Sequence, residues 1–279
     1  MQRAPAVGVV LAVGLLLTAA RALATPRPLP FTYNYETLGE GELEVEQFVD
    51  LTPVKVRGSG TMVGDGTGVF TLLSQFQTEF EYGITNRLEL GLYLTLAPIP
   101  ANLAQGQAVP TLTEGQGVKQ RLRLRLFDEG VLPVDIGLYG ELTENDHEFE
   151  IEAKIILQKR LGNLRVAANL VAEHEWYYAS PQQDWVVDPS AGVTYQVTPV
   201  FQPGIDSWMW SEFTNQATSG TPFNNKPNVY VGPAILLDFG KFWWSTGAYV
   251  RVTNVNHVLD PGVDAFGPFW FRMMVGISF

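Results

Sequence analysis

The chain has no cysteine, only three histidines and few basic residues: 18 Lys and Arg stand against 29 Asp and Glu in 279 residues, a net charge of −11. Without cysteine there is no disulfide framework and no thiolate chemistry. The acidic balance speaks against a nucleic-acid partner, which calls for a basic face. Beyond residue 24 no apolar run reaches the roughly twenty residues that a membrane-spanning helix needs. No ligand spacing for zinc or calcium stands out, and neither metal nor cofactor is expected.

What is present first is an export signal. Arg3 gives a positive start, an apolar run follows from Ala6 to Ala20, and Ala22-Leu23-Ala24 forms a small-x-small cleavage pattern. Residues 1–24 therefore read as a signal peptide. Without Arg3 and Arg21 the chain keeps 16 basic residues against 29 acidic ones, a net charge of about −13. Residues 25–39, rich in Pro and Thr, read as an extended lead-in, and residues 40–279 as one large domain.

That domain is written in period-two alternation, the mark of strands with two unlike faces. Gln75, Gln77, Glu79 and Glu81 interleave with Phe76, Phe80 and Tyr82. Arg121, Arg123 and Arg125 interleave with Leu122, Leu124 and Leu126. Glu148, Glu150, Glu152 and Lys154 interleave with Phe149, Ile151, Ala153 and Ile155. Similar segments begin near residues 42, 88, 134 and 164, and less clean ones are placed at 185–197, 201–213, 227–238, 241–254 and 268–279. That makes twelve strands, with connections expected to alternate between long and short. The loops at 98–117 and 255–267 are expected at the outer rim, where they could fold inward. A bulge is expected within Trp208-Met-Trp-Ser-Glu212.

The closing stretch, Phe269 to Phe279, has apolar residues at every odd position and runs to the last residue. An exposed terminal edge of this kind invites aggregation, whereas a closed barrel pairs its last strand with its first. The expected fold is thus an all-β, antiparallel, up-and-down transmembrane barrel of about twelve strands, with short periplasmic turns and longer extracellular loops. Residues 268–279 should pair antiparallel with about 41–51. The stretch also resembles the C-terminal strand of bacterial outer-membrane barrels, which end on Phe. The resemblance implies that Phe279 serves as an assembly signal for the barrel-assembly machinery, reached with periplasmic chaperones.

Assigning the polar parity inward gives a charged lumen. Glu42, Glu44, Glu46, Glu79, Glu81 and Glu89 come from the first three strands, then Arg121, Arg123 and Arg125. Asp135, Glu141, Glu148, Glu150, Glu152 and Lys154 follow, then Arg165, Glu173, Glu175, Arg251 and Arg272. An arginine column stands between acidic columns on strands about 4.8 Å apart, within reach of pairing. Two readings stay open: a salt-bridged interior that stabilises or plugs the barrel, and a conduction path whose transverse charge separation orients polar or zwitterionic solutes. Two aromatic belts are expected, Trp176, Tyr177, Tyr178 and Trp185 at one end and Phe201, Trp243, Trp244 and Phe279 at the other.

Catalysis is not expected. His147, His174 and His257 stand in no His-x-Ser pair, and no Asp-x-Asp pair is present. Alternation puts His174 on the face opposite Glu173 and Glu175, so an acid–base group cannot converge there. His174 is expected near the outer rim.

The segments Tyr33 to Gln47 and Tyr82 to Leu92 resemble a family of bacterial outer-membrane proteins grouped with putative transporters of the phenol meta-pathway type. That resemblance implies an outer-membrane, transporter-like barrel for small polar or aromatic solutes. The partners expected are outer-membrane lipid and the solute, and the protein is expected to be a monomer.

Overall fold

A computed structural model describes residues 24–56, 69–98, 116–179, 181, 183–214, 227–253 and 267–279. The remainder of the export segment and most of the 98–117 and 255–267 loops lie outside the described residues. The strands are β1 (Leu43–Val56), β2 (Val69–Thr85), β3 (Leu88–Leu96), β4 (Gly117–Arg125), β5 (Asp135–Asn145), β6 (Glu148–Leu161), β7 (Leu164–Tyr177), β8 (Gln183–Val187), β9 (Ser190–Tyr195), β10 (Phe201–Thr214), β11 (Asn228–Asp238), β12 (Phe242–Arg251) and β13 (Phe269–Ser278).

All lie in one antiparallel sheet that closes on itself, since β13 pairs with β1 and β10 with β11. β8 and β9 are one stave. Both pair with β7 and β10, and the ladder opens between them at Asp188-Pro189, where Pro189 has no N–H to donate. The barrel therefore has twelve staves.

The seam matches the expected register. Glu44 faces Ser278 and Asp50 faces Arg272, and the amide of Phe279 donates to Leu43 O at 2.9 Å. The start of β1 and the end of β13 thus share one end of the barrel, called here the periplasmic end.

Apolar side chains point outward on most staves: Phe80, Leu94, Leu122, Leu142, Ile155, Leu170, Ile205, Ile235 and Phe271 are all exposed. Polar side chains of the opposite parity are buried, among them Glu46, Glu79, Arg121, Asp135, Glu150 and Glu173. A water-soluble sandwich would put these faces the other way round.

Three expectations are corrected. The outer connection between β5 and β6 consists only of Asp146 and His147, so connection length does not alternate there. β10 carries no bulge, because its ladder to β11 runs without shift from Phe201↔Leu237 to Trp210↔Asn228. Trp243 does not belong to a belt: it is fully buried in the lumen, and its Nε1 donates to Glu44 at 2.6 Å.

Candidate functional site

The lumen is not lined by the strands alone. Residues 24–42 enter it and turn inside, a path that alternation could not reveal. The amide of Thr25 donates to Glu44 at the periplasmic end. Further in, Phe31 N and Thr32 Oγ1 both donate to Asp206, at 2.9 and 2.7 Å. The segment then descends. Asn169 clamps the backbone of Tyr33, Gln158 accepts from Tyr35 N, and Glu89 accepts from Leu38 N at 2.7 Å. Leu29, Tyr35 and Leu38 are fully buried as a result.

Gly83 is what lets the chain leave. A Cβ there would lie 1.9 Å from the backbone oxygen of Gly39, and the β2–β3 register shifts at this point.

The periplasmic half of the lumen is filled by ion pairs. Arg121 donates through Nε to Glu79 at 2.5 Å, through Nη1 to Glu89 at 2.7 Å and through Nη2 to Glu81. Its partner across the β3–β4 ladder is Gly91, where any side chain would collide with the guanidinium. Arg123 pairs with Glu89 at 2.8 Å. Arg27, from the inserted segment, reaches Glu46 at 3.4 Å and stacks on Tyr33 with its charge centre 3.8 Å from the ring centroid. Five buried carboxylates (Glu44, Glu46, Glu79, Glu81, Glu89) thus meet three guanidiniums.

Other predicted lumen residues find separate partners. Arg272 forks onto Asp50 at 2.8 and 2.9 Å and stacks on Phe31. Arg165 reaches Glu36 at 3.0 Å, and Glu36 also binds Arg160. Burial would raise the Glu36 carboxyl, but Arg165, Asn34 and Arg160 outweigh it and hold the pKa at about 2. Asp135 accepts from Gly130 N, Arg125 from β4 donates to Asn86 O, and Arg251 donates to Thr253 O. Glu42 stands at the periplasmic rim, accepting from Gly39 N.

Farther from the periplasmic end, Lys119 pairs with Glu141 at 3.0 Å and Lys154 with Glu152 at 2.7 Å. Tyr177 donates to Glu175, and Glu148 accepts from Asn145 Nδ2 while its own amide donates back to Asn145 Oδ1. In that turn His147 bonds Glu148 and Asp146, which outweigh burial and raise its pKa to about 9. Carboxylates also gather. One oxygen each from Glu152, Glu173 and Asp188 lie within 4.8 Å of one another, and so do those of Glu141, Glu150 and Glu152. His174 stands on the outer face near the rim. It stacks on Trp185 at 4.2 Å, away from the inward Glu173 and Glu175.

Between the ion-paired floor and the outer rim lies a cavity of about 110 Å³. Arg27, Phe31 and Tyr33 of the inserted segment line its floor. An aromatic group forms one wall: Trp208 is sandwiched between Phe31 and Tyr230, at 4.4 and 4.3 Å between ring centroids, with Trp270 edge-on at 5.2 Å. Glu141, Glu152, Glu173 and Asp188 line the other side with Lys119 and Lys154.

Sequence reasoning missed Arg27, Phe31, Tyr33, Asp50, Lys119, Asp188, Asp206 and Trp243. For Arg27 the available signal was the surplus of inward carboxylates near the chain start, which required a cation from elsewhere; Asp50 and Lys119 share the inward parity of Glu46 and Arg121 and could have been read from alternation.

No family model matches the sequence, and no curated protein matches it. Solved structures do match in shape. The NanC porin aligns over 84% of this chain and 98% of its own, with TM-score 0.55 and 8% identity. The KdgM porin aligns over 84% and 99% with TM-score 0.49 and 8% identity. The outer-membrane channel DcaP of Acinetobacter baumannii aligns over 90% and 100% with TM-score 0.32 and 7% identity. At 8% identity the NanC match carries across the fold alone, a closed antiparallel β-barrel like that of this porin.

Proposed function

We propose that the protein is an exported outer-membrane channel for small polar or aromatic solutes, narrowed at its periplasmic half by its own N-terminal segment. The observation that carries this reading is a closed barrel with an apolar exterior around a polar lumen that retains a cavity. An exposed apolar surface of this extent calls for lipid, not water. Phe279, anchored at the seam, would serve as the assembly signal for the barrel-assembly machinery. A twelve-stave barrel is narrower than a porin of 16–18 strands and is proposed to act as a monomer.

The proposed cleavage after Ala24 fits the lumen. It would turn the Thr25 amide into an α-ammonium 3.1 Å from Glu44 Oε2. Glu44 already accepts from Trp243 and Ser278 but has no cationic partner among the described residues, so the new terminus would join three arginines against five carboxylates.

A second reading is favoured by one observation, the filled periplasmic half: a non-conducting barrel closed by its own Arg/Glu network. Planar-bilayer recording separates the two. The channel reading expects unit conductance from the intact chain, changed in ion selectivity by Arg123→Gln. Silence from a correctly folded chain, with large steps only when residues 26–37 are deleted, would establish the closed barrel instead.

A further inference from the structure

Two features of the central cavity have no use in the barrel's own structure. Gln75 and Trp208 both line it, each more than nine-tenths buried. The amide nitrogen of Gln75 and the indole nitrogen of Trp208 have no hydrogen-bond partner among the described residues. Buried donors are ordinarily satisfied, and leaving one bare costs on the order of 1–3 kcal/mol. Two bare donors on one cavity therefore call for an acceptor that the protein does not supply.

The second feature is on the far side. Of the four acids lining the cavity, Glu141 and Glu152 have lysine partners at 3.0 and 2.7 Å. Glu173 and Asp188 form no ion pair of their own among the described residues: they hydrogen-bond each other, Lys154 acts on them from farther off, and their oxygens and that of Glu152 lie within 4.8 Å of one another. In barrel order, β2 (Gln75) stands across from the β8–β9 stave (Asp188), whereas β10 (Trp208) adjoins that stave, with Trp208 opposite Ser190. The cavity is therefore polarised, with the Gln75 donor short of an acceptor on one side and Glu173 and Asp188 short of an ion-pair partner on the other, where Trp208 also stands. Its aromatic wall suits the apolar flank of a small solute or the face of an ammonium.

We propose that this cavity binds a small zwitterion, its ammonium against Glu173 and Asp188 and its carboxylate against Gln75 Nε2 across the cavity. This rests on the channel reading above, since it names the solute class that would pass, but binding can be tested without conduction.

The test is calorimetric titration of the detergent-solubilised full chain with four probes: L-proline, N-acetyl-L-proline, pyrrolidine and calcium chloride. Proline carries both charges; the next two each lack one. The proposal expects proline to bind, and each single-charge analogue to bind at least about tenfold more weakly. Glu173→Gln and Asp188→Asn should each weaken proline binding about tenfold without changing the heat-shifted band of the folded barrel. Gln75→Glu should act with opposite signs, weakening proline and strengthening pyrrolidine. That reversal cannot come from loss of fold. Pyrrolidine binding as tightly as proline would overturn the proposal in favour of a plain cation site. Calcium binding that proline cannot displace would overturn it in favour of a metal site. No heat from any probe, in a chain that conducts in the bilayer, would overturn the solute class while leaving the channel standing.

Discussion

The periplasmic half of the lumen and its middle are built from the same residue types and come out opposite. Below, Glu and Arg interlock around Arg121, and the inserted segment adds both a cation, Arg27, and bulk. Higher up, acids outnumber lysines and a cavity remains. What separates them is the geometry of the donors. A guanidinium has five N–H groups in a fixed fork and can bridge three carboxylates at once, as Arg121 does. A lysine ammonium has no such fork: Lys119 is paired with Glu141 and Lys154 with Glu152, while Glu173 and Asp188 form no ion pair of their own among the described residues.

The largest effect expected from breaking the lower region is at Arg121. Arg121→Leu leaves Glu79, Glu81 and Glu89 short of their shared partner, and removing one member of a buried ion pair costs about 3–5 kcal/mol. The unfolding midpoint of the barrel in urea with detergent should fall accordingly. The equivalent change higher up, Lys154→Leu, should cost less, because Lys154 binds one carboxylate.

Gly83→Ala comes next. Its Cβ would strike the backbone of Gly39, and overpacking of this kind costs about 1–3 kcal/mol. The inserted segment should then be displaced, seen as new proteolytic cleavage between residues 25 and 40. Trp243→Phe should cost a similar 1–3 kcal/mol by removing the donor to buried Glu44. Accurate mass of the purified protein should also show a chain that begins at Thr25.

The smallest effects are those of pH, and they fall on groups outside the strands. His147 is raised from 6.5 to about 9, so its contribution to stability is complete below pH 6.5 and is lost as pH rises through 9. The stability difference between wild type and His147→Gln should vanish above that point. Glu36 is depressed to about 2. Its contribution is complete above its ordinary value of 4.5 and fades as pH falls towards 2, so Glu36→Gln should matter at neutral pH and not in strong acid.

Much of the barrel could be read from alternation, because a strand with lipid on one side and polar lumen on the other must repeat every second residue. The Arg121–Arg125 and Glu148–Lys154 runs are of this kind, and so is the closing strand against 41–51. The inserted segment could not be read that way. It makes few repeating backbone bonds, and its side chains are satisfied one by one by wall residues more than a hundred positions away, such as Asn169 and Asp206. Trp243 misled for a related reason: a tryptophan near a strand end normally marks the lipid interface, but here a buried carboxylate at the chain start takes its N–H. Asp188, by contrast, keeps the inward parity of Asp184 and Ser190 across Pro189, where the register to β7 does not shift, so alternation could have placed it in the lumen.

The central claim is that residues 25–39 lie inside the barrel and set its width. A chain without native cysteine allows a direct test. In Thr32→Cys/Asp206→Cys the two thiols replace side chains that hydrogen-bond at 2.7 Å, close enough for a disulfide with small adjustment. The account predicts that the folded, membrane-inserted barrel forms this bond on mild oxidation, shifts on a non-reducing gel and excludes maleimide. Two free thiols that both react with maleimide in the folded barrel would contradict it.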